Sequence, residues 1–156
     1  MNRIVYMLLL TLTGIFSANA ENNIFEKFSN EKNVTYINVS KTMLNMMPNG
    51  QLDLEILDLK SIINELDRIQ ILTCEENKSL IPQIRKECDI FKKAPYEVLM
   101  KVNDSGEAVI IYILPQSEGK IKELVMSVDD NGNEFVLIQL SGNISIDKLQ
   151  NLTKNM

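Results

Sequence analysis

Residues 96–140 constrain the fold more than any other part of the chain. They contain four runs that are rich in β-branched and aromatic residues, separated by short turn-forming segments. The runs span residues 96–103, 107–114, 120–128 and 134–140. Gly106 and Gly132 can adopt the positive φ that tight hairpins require. The spacing therefore predicts four antiparallel strands joined as a meander.

Two of these predicted strands have no polar face. Residues 108–114 and 135–138 are apolar at every position, whereas Glu97, Lys101 and Asn103 make one face of residues 96–103 largely polar. A strand that is apolar on both faces must be covered on both, by helices, by another part of the chain or by a partner. A second subunit is therefore allowed but not required.

The residues before the meander show helical and extended patterns in turn. Helical spacing predicts helices near residues 24–28, 40–47, 54–66 and 80–92, and a last short helix after Ser145. The second helix is expected to begin at the cap Ser40 and to bury Met43, Leu44 and Met47. Strands are predicted over residues 34–39 and 67–74. The fold class is therefore α+β: a mostly antiparallel sheet that includes the four-stranded C-terminal meander, with helices packed against it, in a single domain over residues 21–156.

The first twenty residues carry the three parts of a secretory signal peptide. Arg3 supplies a basic start, residues 4–20 are free of charge, and the segment ends in a small-x-small triplet. Cleavage is predicted between Ala20 and Glu21, so the signal peptide is residues 1–20 and the protein is expected in the periplasm. The apolar core is shorter than the ~20 residues of a spanning helix, so no stable membrane anchor is expected after cleavage.

The charge balance argues against nucleic acid as a partner. The chain has 16 basic and 21 acidic residues, a net charge of −5. Removal of Arg3 with the signal peptide leaves 15 against 21, a net charge of −6. Nucleic-acid phosphates require a basic face. The expected partner is an unidentified protein of the cell envelope, and self-association is also allowed.

The residue types exclude several kinds of catalytic site. The chain has no histidine, so Ser-His-Asp and Cys-His sites and the usual zinc ligand are absent. Residues 129–133 superficially resemble a calcium loop, but the glycine comes two positions early and Leu140 occupies the position of the bidentate glutamate. A plain hairpin turn is predicted there. No catalytic residue, cofactor or metal site is predicted, and the protein is expected not to be an enzyme.

Cys74 and Cys88 are the two cysteines of the chain. An oxidising compartment allows a disulfide between them. If the helix begins near Leu80, however, Cys88 lies eight residues inside it, about 12 Å along the axis at ~1.5 Å per residue. A disulfide tolerates a Cα separation of at most about 7 Å. The sequence therefore favours two buried free thiols over a bridge.

A set of short runs extends over nearly all of the chain that follows the signal peptide. They lie at residues 25–29, 34–37, 39–41, 43–44, 66–72, 96–97, 99–100 and 140–142. In these runs the chain resembles domain-of-unknown-function family 4252, a family of small exported bacterial proteins. The resemblance implies an envelope protein with no established activity. Many relatives look like lipoproteins, but this chain lacks the lipid-accepting cysteine, so lipid tethering is not expected.

Three function hypotheses follow from these observations. The first is a non-catalytic periplasmic protein that acts through protein contacts in an accessory or regulatory role. The second is a carrier of a small apolar ligand held between the sheet and its helices. The third is a carboxylate-based hydrolase, which needs two acidic residues that converge in a cleft.

Overall fold

A six-stranded antiparallel sheet organises the part of the chain that the computed structural model describes, residues 23–47 and 59–149. Its strands are β1 (Val34–Ser40), β2 (Leu66–Glu75), β3 (Glu97–Asp104), β4 (Glu107–Gln116), β5 (Lys120–Asp130) and β6 (Glu134–Ser145). They lie in the order β1-β2-β6-β5-β4-β3, and all neighbours are antiparallel. The α+β class and the meander of β3 to β6 are therefore confirmed.

Turn chemistry explains why the meander forms. Ser105 and Gly106 join β3 to β4 and have φ values of 48° and 101°. Positive φ at both central residues is typical of the two-residue turns whose twist matches that of paired strands. In the turn between β5 and β6, the amide of Asn133 donates to the carbonyl of Asp130 at 2.7 Å. The predicted hairpin turn over residues 129–133 is thus what the structure contains.

Short helical segments cover the sheet. The α-helices of the described residues are α1 (Ile24–Phe28), α2 (Lys41–Met46), α3 (Ile81–Glu87) and α4 (Ile146–Leu149). Three 3₁₀ turns accompany them, at Leu59–Ser61, Ile63–Glu65 and Cys88–Lys92. The hydroxyl of Ser40 accepts a hydrogen bond from the amide of Met43 at 3.4 Å, so the predicted cap of α2 is confirmed. No helix in the described part of the chain is long and apolar enough to cross a membrane.

The structure differs from the predicted helices in three places. Residues 54–58 of one predicted helix lie outside the described residues, and residues 59–65 form two 3₁₀ turns instead of an α-helix. Leu59 and Ile62 are both buried there, and their spacing of three residues suits a 3₁₀ turn. Helix α3 ends at Glu87, and the remaining residues of the predicted helix, 88–92, form a 3₁₀ turn. Met43 is 49% exposed, so its predicted burial was wrong: α2 is six residues long and turns only Leu44 fully toward the core.

The sheet separates two apolar layers. The first face carries Leu72, Tyr112, Val125 and Leu137, which pack with α1, α3 and the 3₁₀ turn at Cys88–Lys92. The second face carries Ile69, Ile111, Met126 and Ile138, which pack with α2, α4 and the other 3₁₀ turns. Ile111 and Tyr112 are neighbours in β4 and belong to different layers. The prediction that β4 is apolar on both faces is therefore correct.

Among residues 23–47 and 59–149, the segments that cover the second face lie at one end of the sheet. Leu44, Leu59, Ile62 and Leu149 pack there against the same cluster as Ile144. Toward the opposite end, the aliphatic side chains of the sheet are only partly buried. This uncovered end is where the candidate site lies.

Candidate functional site

Five carboxylates lie side by side across the uncovered end of the second face. In the register of the sheet, Asp104 pairs with Glu107, Glu107 with Asp130, Asp130 with Glu134, and Glu134 with Glu75. Directly paired residues of antiparallel strands point to the same face, with Cβ atoms about 5 Å apart. We call these five residues the carboxylate row. It crosses β3, β4, β5, β6 and β2 over about 19 Å, at ~4.8 Å per strand.

None of these five carboxylates forms an ion pair within the described part of the chain. The ion pairs found there are Lys27–Glu87, Lys41–Asp67, Arg85–Asp129, Lys92–Asp89 and Lys148–Glu65. Asp129 precedes a member of the row, but its side chain points to the first face and reaches Arg85 at 2.6 Å. Like charges that face each other across strands destabilise a sheet. The carboxylate row therefore lowers the stability of the fold instead of contributing to it.

An aliphatic row lies beside the carboxylates. Val102, Val109, Val128 and Val136 pair with one another in the same register, two residues inward along each strand. Val102 is 45% exposed, and the other three are partly buried. We call these four residues the valine row. At ~3.4 Å per residue it runs about 7 Å from the carboxylate row, and the two rows together form what we call the docking face.

The spacing of the carboxylates does not make a metal site. Among residues 23–47 and 59–149, no group of three or more acidic or cysteine side chains is placed to hold a metal ion. A calcium ion needs six to eight oxygens at about 2.3–2.6 Å from one point, whereas these five side chains follow a line. The carboxylate row presents an extended negative surface.

A second polar feature lies on the first face. In the register, Arg68 of β2 pairs with Ser141 of β6, and Ser141 pairs with Glu123 of β5. These side chains border a cavity of about 130 Å³ beneath α1 and the chain that leads into β3. The other lining residues are Asn23, Ile24, Phe25, Gln70, Ile90, Phe91, Tyr96 and Gln139. We call this cavity the polar pocket.

Glu123 is the buried charged side chain of the polar pocket. The residue is 5% exposed. Its Oε2 accepts hydrogen bonds from the hydroxyl of Tyr96 at 2.5 Å and from Nε2 of Gln139 at 2.7 Å. Both bonds reach the same oxygen, and Oε1 has no donor among the described residues. No cationic side chain of that part of the protein lies within ion-pair distance of Glu123.

Arg68 is the cation that borders the polar pocket. It is exposed, and within the described part of the structure its guanidinium forms no ion pair and no hydrogen bond. Two strand spacings separate it from Glu123, or about 10 Å between Cα atoms. The pocket therefore has an unused acceptor on one wall and an unused donor on another.

The two cysteines lie in the first layer and belong to neither feature. Cys74 and Cys88 are buried free thiols in the structure. Burial raises the pKa of Cys74, and burial together with nearby Asp89 raises the pKa of Cys88 to about 12. Because the thiolate is the reactive form, neither cysteine is suited to nucleophilic or redox chemistry. Their redox state in the cell stays a prediction.

The fold and these features define an α+β domain with an acidic sheet face and a small polar pocket. The model of the family described as Domain of unknown function (DUF4252) matches residues 27–152, so the chain belongs to this family. The match contains all six strands that the structure describes. No curated protein matches the chain.

Proposed function

We propose that this protein is an exported, non-catalytic interaction module of the cell envelope, which binds a basic segment of a partner protein on its docking face. The observation that supports this most directly is the carboxylate row beside the partly exposed valine row. A partner segment with an aliphatic stripe flanked by lysines or arginines would complement both rows. Binding would bury the valines and neutralise the repulsion between the carboxylates.

Charge selects among the partners that such a face could accept. Anionic lipid surfaces and nucleic acids would be repelled by five unpaired carboxylates. A second copy of this chain, placed symmetrically on the same face, would oppose one carboxylate row with another. The proposal therefore commits to a different protein with a basic surface. Self-association through another surface is a separate hypothesis.

The described residues support the two other function hypotheses less well. A carrier of apolar ligands needs an apolar cavity, but the polar pocket is bordered by Glu123, Arg68 and Gln70. A carboxylate-based hydrolase needs two acids that converge in a cleft. Glu123 is the single acidic residue that lines the polar pocket, whereas Glu107, Asp130 and Glu134 border an open concavity of about 230 Å³ on the docking face. Both remain hypotheses.

Export is part of the proposal and has its own test. The cleavage site between Ala20 and Glu21 lies outside the described residues. N-terminal sequencing of the protein from the periplasmic fraction should begin at Glu21. Recovery of a chain that still begins at Met1, in the cytoplasmic fraction, would contradict export.

Photocrosslinking in living cells tests the docking face. A photoreactive amino acid at position 102 or 128 should capture one discrete partner, and the captured segment should be basic. The same residue at position 118, in the turn between β4 and β5, serves as the control position. A triple variant that neutralises the row should abolish the crosslink, and a variant with the same change in net charge elsewhere should retain it. The row variant is Glu107→Gln/Asp130→Asn/Glu134→Gln, and the matched variant is Glu97→Gln/Glu118→Gln/Asp147→Asn.

Two outcomes of that experiment would refute the proposal. One is equal capture of the same proteins from position 118, which would indicate non-specific contact. The other is a crosslink that joins two copies of this chain through the docking face, since that would require two carboxylate rows to face each other.

A further inference from the structure

We propose that the polar pocket binds a small zwitterion of the free α-amino acid class, with the ligand ammonium on Glu123 and the ligand carboxylate on Arg68. This site is on the opposite face of the sheet from the docking face. It is independent of the proposed protein partner.

Glu123 provides the first observation that points to a ligand. A carboxylate that is 95% buried is costly unless it is paired, and a hydrogen-bonded cation is the usual partner. Here both protein donors are neutral groups, the Tyr96 hydroxyl and the Gln139 amide, and both act on Oε2. The second oxygen is left for a donor that the described residues do not supply. An ammonium group of a ligand provides both the charge and the hydrogen bond.

Arg68 provides the second observation, and its separation from Glu123 selects the class of ligand. In an α-amino acid the ammonium nitrogen and the carboxylate oxygens are about 3 Å apart. Two charge-assisted hydrogen bonds of ~2.8 Å extend this to about 8–9 Å. The sheet register separates Arg68 from Glu123 by about 10 Å between Cα atoms, with both side chains on the first face. Both side chains rise from the same face and line one cavity, so a molecule that carries both charges on adjacent carbons suits the spacing of the two strands.

The walls and the volume of the pocket limit the ligand further. A cavity of 130 Å³ is comparable to the ~150 Å³ that accommodates a benzene-sized molecule. Phe91 and Tyr96 meet edge to face at a centroid distance of 5.1 Å, and both line the pocket. Aromatic rings stabilise a neighbouring ammonium. Small amino acids such as glycine, L-alanine and L-serine fit these limits, and L-phenylalanine does not.

Isothermal titration calorimetry of the purified full chain tests the assignment. The probes are glycine, L-alanine and L-serine, with acetate and ethylamine as single-charge controls and L-phenylalanine as a size control. At least one small amino acid should bind, and each control should bind at least tenfold more weakly. Saturable binding of none of the three amino acids would overturn the proposal, as would equal binding of acetate or ethylamine.

Three variants connect the binding to the assigned residues. Arg68→Gln removes an exposed cation, and Glu123→Gln keeps the shape of the buried side chain while removing its charge. Each should weaken binding by roughly 10- to 100-fold, which is typical of a lost hydrogen bond to a charged group. Arg85→Gln is the matched control, because it removes an arginine on α3 that does not line the pocket, and it should bind like the wild type. Since Arg68 is exposed, its variant is expected to fold, and unchanged affinity in Arg68→Gln would overturn the assignment.

Discussion

The replacement of Glu107 by Gln should stabilise the protein, because Glu107 lies inside the carboxylate row. Its register neighbours are Asp104 and Asp130, each about 5 Å away. Two unit charges at this distance in water repel by ~0.8 kcal/mol, and screening in 0.15 M salt reduces this to ~0.4 kcal/mol. Glu134, the next member of the row, lies about 10 Å away and adds ~0.1 kcal/mol.

The sum predicts a free energy of unfolding that is higher by about 0.9 kcal/mol in Glu107→Gln. In 1 M salt the Debye length falls to ~3 Å, and the gain should fall to about 0.3 kcal/mol. Urea unfolding followed by circular dichroism at both salt concentrations measures this. Glu97→Gln is the control, because Glu97 pairs with the uncharged Ile113 and its replacement should change stability by less than ~0.3 kcal/mol. A loss of stability in Glu107→Gln, or a gain that does not depend on salt, would refute the presence of an unneutralised row.

Three further predictions concern the fold. Gly142→Ala should lower the free energy of unfolding by about 3 kcal/mol or more, because the added Cβ would overlap the carbonyl oxygen of Glu65 and lie 3.0 Å from Cα of Leu66. Gly119→Ala is the control: its Cβ would meet nothing within 4 Å, but the φ of +69° should still cost ~1–2 kcal/mol. Urea unfolding measures both variants. Glu65→Ala should cost about 1–2 kcal/mol, because Glu65 accepts hydrogen bonds from the amide and hydroxyl of Ser145, which precedes α4, and from Nζ of Lys148 within α4. Although burial raises the pKa of Glu65, these bonds leave it below the ordinary value of 4.5. The wild type should therefore lose this contribution as the pH falls below 4.5, and an unchanged acid limb in the variant would contradict it. Burial raises the pKa of Cys88 to about 12 from 9.0, so above pH 9 the unfolded state releases a proton that the folded state keeps. The free energy of unfolding of the wild type should therefore fall by up to ~1.4 kcal/mol per pH unit there. An equal dependence of this free energy on pH in Cys88→Ala and in the wild type would contradict the prediction.

The parts of the fold that depend on local chemistry could be predicted from the sequence. The meander follows from glycine-containing turns such as residues 104–107 and from apolar runs of strand length, and both act between neighbouring residues. The predicted helix over residues 54–66 was wrong over its described part. Residues 59–65 form two 3₁₀ turns there, and Leu66 already begins β2, where it pairs with Gly142, 76 positions later. Helical spacing alone does not carry that information.

The candidate site depends even more on register. Asp104 and Glu107 flank one hairpin turn, and Asp130 and Glu134 flank another, so pairs of acids around turns were a local signal for part of the carboxylate row. Glu75 joins the row only because β2 pairs with β6. The polar pocket had no local signal, since Arg68 and Glu123 are 55 positions apart and are brought together by β6. Sequence reasoning therefore did not bring together the residues of the carboxylate row or of the polar pocket.

Titration with a defined basic peptide tests the central claim most directly. A helix of about 13 residues spans the 19 Å of the carboxylate row at ~1.5 Å per residue. The probe is therefore a 13-residue peptide with a leucine stripe flanked by lysines. Its affinity is measured by calorimetry for the wild type, for the row variant and for the matched variant described above.

The proposal predicts that the peptide binds the wild type and the matched variant with equal affinity. The row variant should bind at least ~10-fold more weakly, because three interactions with charged groups are lost. Equal weakening in both variants would mean that net charge alone attracts the peptide, and it would contradict a specific docking face.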